Sequence, residues 1–149
     1  MNYEGLKNLM YFAYGSLLKG VCSDLNTNFT EKVESYLEGG ESLEEEIIKE
    51  MYEELPHAIQ ELHELSVRKK TEPFSLENVN EYIFKVHNSG VRLECWVMSG
   101  AVKSIDQEKR ILEVSRNGEN FQIQYLPSLE ESFKLGNKVH FHHGWLIKK

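Results

Sequence analysis

The residues of this chain with the most chemical potential are two thiols, Cys22 and Cys95, and three imidazoles near the end, His140, His142 and His143. Cys95 opens the run Cys95-Trp96-Val97-Met98-Ser99-Gly100-Ala101-Val102. The imidazoles lie in Val139-His140-Phe141-His142-His143-Gly144-Trp145-Leu146-Ile147. A thiolate is a soft ligand and an imidazole a borderline one, so a cysteine and histidines brought together could share a metal or cofactor. An adjacent imidazole can also hold a thiol deprotonated. The candidate set is Cys95 and His142, with His140 and Cys22 as further ligands. Each has a plainer alternative. A cysteine at the start of a strand is commonly a small buried hydrophobe, and histidines on a strand, where His140 and His142 would share one face and His143 take the other, are commonly exposed. His57, His63 and His87 belong to acidic helices and read as capping or solvated groups.

Other chemistry finds no support. The chain has no CxxC, which rules out a four-thiolate zinc site within one chain. It has no phosphate-binding glycine loop of the P-loop or dinucleotide type. Ser16 and Ser99 have no partner pattern that suggests a catalytic triad. Glu44-Glu45-Glu46 is most simply a solvated helix face.

To bring Cys95 near His142 the chain must fold back on itself, and the hydrophobic pattern says how. Residues 1–88 read as a small helical bundle. Leu6, Leu9, Met10, Ala13 and Leu17 recur every three or four residues, and Gly20 can stop that helix. Asn28 with Glu31 and Ser42 with Glu45 are capping-box patterns. Leu43, Ile47, Met51 and Leu55 follow at intervals of four, and Pro56 should kink or end that helix. Arg68-Lys69-Lys70 suits a helix C-terminus, where cations meet the negative end of the macrodipole. Ser75 can cap a last helix that turns Leu76, Val79, Ile83 and Val86 inward.

After Asn88-Ser89-Gly90 the period changes. Residues 91–149 read as four to five short strands: Arg92–Met98 continued by Gly100–Ile105, then Arg110–Val114, Phe121–Tyr125 and Lys138–Ile147. Asn117-Gly118 is a two-residue hairpin signal, since both positions tolerate positive φ. The fold class expected is therefore α+β, an N-terminal helical bundle followed by a small OB-like β-barrel. Trp96, Phe121, Tyr125, Phe141 and Trp145 would supply its core or the interface with the bundle.

Charge divides the same way. Residues 1–90 carry 8 Lys/Arg against 17 Asp/Glu, a net of −9; residues 91–149 carry 9 against 7, a net of +2. The acidic half repels a phosphate backbone, and the basic residues of the second half are scattered, so nucleic acid is not an expected partner. No apolar run reaches the roughly 18 residues that cross a bilayer, and Met1-Asn2-Tyr3-Glu4 lacks the basic start of a signal peptide. The expectation is a cytoplasmic protein without a membrane partner. In a reducing cytosol, Cys22 and Cys95 would not form a structural disulfide.

From Cys95 to Lys148 the chain resembles the hydrogenase-maturation chaperones of the HypC/HupF family. That family opens on a cysteine, an apolar triplet and Pro-Gly, then Lys or Arg and Val; it closes on a strand like Val-x-Val-His-x-Gly-Phe-Ala-Ile. Here Cys95 and Gly100 match the opening, and His142, Gly144 and Trp145 match the close. Ser99 replaces the family's proline, and Glu94 and a whole helical region precede a cysteine that in the family stands at the chain start. The resemblance implies a non-enzymatic accessory protein of [NiFe]-hydrogenase assembly. It would bind an assembly factor or the hydrogenase large subunit, and hold an iron group bearing cyanide and carbonyl through Cys95 and His142. A second resemblance, of Tyr14-Gly15 through Lys19-Gly20-Val21-Cys22 to an uncharacterised bacterial family found with hydrogenases, implies Cys22 as another ligand. Two alternatives stand beside this. One is a metal-free protein-interaction module. The other is a γ-glutamylcyclotransferase-like enzyme, because Tyr14-Gly15-Ser16-Leu17 resembles the substrate-gripping loop of those enzymes; it fails if residues 9–18 are helical.

Overall fold

The computed structural model describes residues 2–20, 27–39 and 42–148; Cys22 lies outside them. Five α-helices, α1 (Leu6–Lys19), α2 (Thr27–Leu37), α3 (Glu44–Glu54), α4 (Pro56–Lys69) and α5 (Leu76–Glu81), precede five strands, β1 (Met98–Asp106), β2 (Ile111–Arg116), β3 (Glu119–Gln124), β4 (Lys138–His142) and β5 (Trp145–Ile147). The strands close into a barrel in the order β1-β2-β3-β5-β4, with β1 pairing β4. Closure removes the unpaired edges that a small open sheet would expose. The α+β expectation of a helical region followed by a small OB-like barrel holds.

Most helix signals act as read. Gly20 ends α1 at φ +66. Pro56 occupies the first turn of α4, so Leu55 separates two helices and no kinked one forms. Lys70 ends α4 at φ +56, and Ser75 Oγ accepts from Asn78 N at 3.3 Å to cap α5. Two caps differ. Asn28 lies inside α2, and the Ser42 hydroxyl bonds the Glu44 carboxylate at 2.9 Å rather than a backbone N–H. Leu76 is an exposed residue, while Val79 and Ile83 are buried. α5 then loosens into a π-helical turn (Tyr82–Val86) and a 3-10 turn (His87–Gly90).

Three strand readings need correction. Arg92–Met98 is not a strand: Leu93–Cys95 form a 3-10 turn and β1 starts at Met98. The cause is local. Asn88 offers its amide to the carbonyl of Val97 at 3.0 Å and its side-chain oxygen to Val97 N at 2.8 Å, so it satisfies the groups a neighbouring strand would otherwise pair. The terminal strand is likewise two strands, because His143 (φ +50) and Gly144 (φ +80) make a tight turn between β4 and β5. Finally, His143 belongs to that turn and not to a strand face. Asn117-Gly118 makes the expected hairpin between β2 and β3, at φ +50 and +81.

Gly100 in β1 is dictated by close packing. A Cβ there would lie 2.5 Å from both the Ser115 carbonyl oxygen and Val114 Cγ1, so the closed barrel admits only glycine at this point. Along β4 the pleat sends Val139 and Phe141 one way and His140 and His142 the other. Phe141 packs on Phe121 of β3, while His142 meets Phe12 of α1 and His140 meets Phe84 of the π-helical turn. The histidine face of β4 is therefore the seam between barrel and helices, and one hydrophobic core runs through both. Of the aromatics expected to fill it, Tyr125 and Phe141 are buried, and Phe121 and Trp145 pack against the core. Trp96 is half-buried and donates its indole N–H to the Val91 carbonyl at 3.3 Å.

Candidate functional site

His142 is the centre of the seam. Its side chain is almost sealed, at 2% exposure. The ring stacks on Phe12 with centroids 4.3 Å apart and planes 11° from parallel. Two further imidazoles meet it edge-on, His143 at 4.4 Å and His87 at 5.1 Å. His87 in turn packs against Phe12 at 4.7 Å and Tyr82 at 6.0 Å.

Both ring nitrogens of His142 face carbonyl oxygens. Nδ1 lies 2.6 Å from the oxygen of Phe12, and Nε2 lies 3.1 Å from the oxygen of Cys95. A neutral imidazole owns one N–H and can donate to only one of them. Burial, helped by the neighbouring His143 and His87, pushes its pKa down to about 3, against the opposing pull of the two carbonyls. The ring is neutral at pH 7 and donates its one N–H to one of these two carbonyls.

The convergence expected of Cys95 and His142 takes a specific form. The two residues meet through the main chain of Cys95, since the Cys95 carbonyl is what the ring faces. Cys95 ends the 3-10 turn that leads towards β1 and is partly exposed, whereas its neighbours Arg92, Leu93 and Glu94 are exposed. Leu93 is exposed at 62%, and Leu135 and Val67 are exposed elsewhere. His140, which shares the strand face with His142, stacks edge-on to Phe84 at 4.8 Å. Among the described residues, no group of three or more His, Cys, Asp or Glu side chains is placed to hold a metal ion. With each ring nitrogen turned to a carbonyl, His142 would have to leave the Cys95 carbonyl before it could ligate anything.

His87 is where sequence reading went astray. It is buried and its pKa is lowered by desolvation, with Nδ1 3.2 Å from the Asn88 side-chain oxygen. The signal was present: Val79, Ile83 and His87 are spaced by four, on the inward face of the helix. His57 and His63 do stay at the surface. His57 Nε2 lies 4.0 Å from Glu61, and His63 Nε2 lies 3.0 Å from the hydroxyl of Tyr52.

A small cavity of about 50 Å³ opens beside the imidazoles and is bounded by Leu9, Ala13, Leu55 and Tyr82, with His87 and His142 in its wall. Residues Tyr14, Gly15, Ser16 and Leu17 lie within α1, so no strand-borne loop exists for the γ-glutamyl resemblance. Gly15 has another role there. A Cβ on it would lie 2.6 Å from the His142 carbonyl oxygen, 3.2 Å from His143 Cβ and 3.3 Å from Trp145 Cδ1. Glycine lets α1 lie against the β4–β5 turn.

These features define a helical unit sealed onto a five-stranded barrel, with a buried imidazole holding a cysteine-bearing turn. No family model, curated protein or solved structure matches this chain. No described helix is long and apolar enough to cross a membrane.

Proposed function

We propose that this chain is a non-enzymatic accessory protein of [NiFe]-hydrogenase assembly, which docks on a partner protein through the turn at residues 92–95 and presents Cys95 there. The observation that carries the reading is the contact between His142 Nε2 and the Cys95 carbonyl. The opening cysteine and the closing histidine of the HypC-like motif lie far apart in sequence and meet at one end of a closed barrel. In this reading an iron group is cargo taken up by the Cys95 sulfur. A thiolate supplies the soft ligand that low-spin iron favours. His142 is a positioning residue that fixes the turn through its main chain. The test is anaerobic copurification with iron, read by the infrared bands of cyanide and carbonyl. The bands are expected with the wild type and lost with Cys95→Ala. Bands unchanged in that variant would remove the thiol from the mechanism.

A second reading, a docking module that carries no metal, is favoured by the engagement of both His142 nitrogens with carbonyls. It predicts equal binding of the hydrogenase large subunit or assembly factor by the wild type and by the double variant Cys95→Ala, His142→Ala. Weakened binding by the double variant argues for the first reading.

A further inference from the structure

On the side of the barrel facing α2, a cleft of about 370 Å³ lies between two sets of opposite charge. Glu34 and Glu38 stand on its α2 side. Lys109 and Arg110 stand on the other side, in the connection that leads from β1 into β2. Among the described residues no ion pair crosses the cleft, although salt bridges form elsewhere along the helices. The two sets of charges therefore face the same space without neutralising each other.

The cleft is also built, and not merely bordered by surface charges. Arg110 is held at φ +54, a left-handed conformation that a non-glycine residue rarely takes, and its carbonyl accepts from Tyr125 N at 3.2 Å. Such a backbone persists only where its surroundings impose it. On the acidic side the Tyr14 hydroxyl donates to Glu34 at 3.1 Å, and the Tyr14 ring is packed edge-on against Trp145 at 5.0 Å. Tyr14 and Trp145 both line the cleft.

We propose that this cleft binds a small zwitterion of amino-acid or dipeptide size, with its ammonium group at Glu34 and Glu38 and its carboxylate at Lys109 and Arg110. Its volume lies in the range of small-molecule sites. A ligand with one charge satisfies one end and leaves the other unmatched, so the two ends together select for a molecule bearing both. The acidic end alone would attract any cation; the guanidinium and ammonium opposite it make the preference specific. The charged side chains are exposed, so affinity is modest and falls with added salt.

The probes are the dipeptide glycyl-leucine, its N-acetyl form, which keeps only the carboxylate, and its C-terminal amide, which keeps only the ammonium. Binding is followed by calorimetry and by the NMR shift of the Trp145 indole. The intact dipeptide is expected to saturate the site, and each half-charged derivative to bind about tenfold more weakly, which corresponds to roughly 1.4 kcal/mol. Glu38→Gln should weaken the dipeptide and the amide while sparing the acetyl form; Arg110→Gln should do the reverse. No saturation by the dipeptide up to about 10 mM, or equal binding of all three probes by the wild-type protein, overturns the proposal. The wild-type comparison needs no variant, so a substitution that fails to fold does not leave the question open.

Discussion

His142 is bound twice to one residue of α1: its ring lies flat on the ring of Phe12 at 4.3 Å, and its Nδ1 reaches the carbonyl oxygen of that same residue at 2.6 Å. The stack fixes the plane of the imidazole and the hydrogen bond fixes its rotation within that plane. The remaining nitrogen is thereby aimed at the Cys95 carbonyl. One side chain of the barrel thus orders both the first helix and the turn that carries the thiol.

Replacing that side chain separates packing from hydrogen bonding. His142→Phe keeps an aromatic ring on Phe12 but removes the ring N–H and leaves the carbonyl it serves without that donor in a sealed site. We expect a loss of about 1–3 kcal/mol in urea unfolding. We also expect faster alkylation of Cys95 by a maleimide, because the turn loses its anchor. Unchanged alkylation together with lowered stability would show that His142 packs the seam without positioning the cysteine.

Acid should unfold this protein through its imidazoles before its carboxylates. His142 is held at a pKa of about 3, below the 6.5 of an unfolded histidine, and His87 and His143 are lowered as well. Below pH 6.5 the unfolded chain binds protons that the folded chain refuses. Stability is therefore full above pH 6.5 and falls as pH drops from 6.5 towards 3. For His142 the slope approaches about 1.4 kcal/mol per pH unit. Urea midpoints measured between pH 7 and pH 5, where few carboxylates titrate, should fall for the wild type and fall less steeply for His142→Phe. Parallel slopes would contradict the assignment.

Gly15→Ala should destabilise despite alanine's better helix propensity. Propensity favours the alanine by about 1 kcal/mol, but its methyl would press on the His142 carbonyl at 2.6 Å, a backbone atom. Overpacking of this kind costs roughly 1–3 kcal/mol, so a net fall in thermal midpoint is expected. A raised midpoint would mean that α1 can lift from the β4–β5 turn at little cost.

Asn88→Ala tests the device that turns the chain from helix to barrel. The substitution removes both hydrogen bonds to Val97 and should cost about 1–3 kcal/mol. Amide exchange should rise most at Val97. A uniform rise across the chain would instead point to a general loss of stability.

Much of the architecture was legible because local signals agree with the packing. Gly20, Pro56 and the Asn117-Gly118 pair punctuate the elements where their backbone chemistry requires. The strand start was misplaced because Asn88 imitates a strand neighbour from a distance in sequence, and alternation in Arg92–Met98 cannot reveal that. The β4–β5 turn was missed because His143 takes a positive φ that histidine adopts only occasionally. The meeting expected of Cys95 and His142 takes place through the Cys95 carbonyl, which residue types and spacing cannot show. The inward place of His87 could be read from its spacing of four from Ile83; that it joins Phe12 beside His142 could not.

The two-sidedness of β4 and its neighbours gives the barrel a handed exterior. α1 covers β4 and β5, whereas the outward residues Asn120, Gln122 and Gln124 of β3 stay in water and are polar. A visiting macromolecule would find a hydrated, uncharged amide stripe there, a poor adhesive.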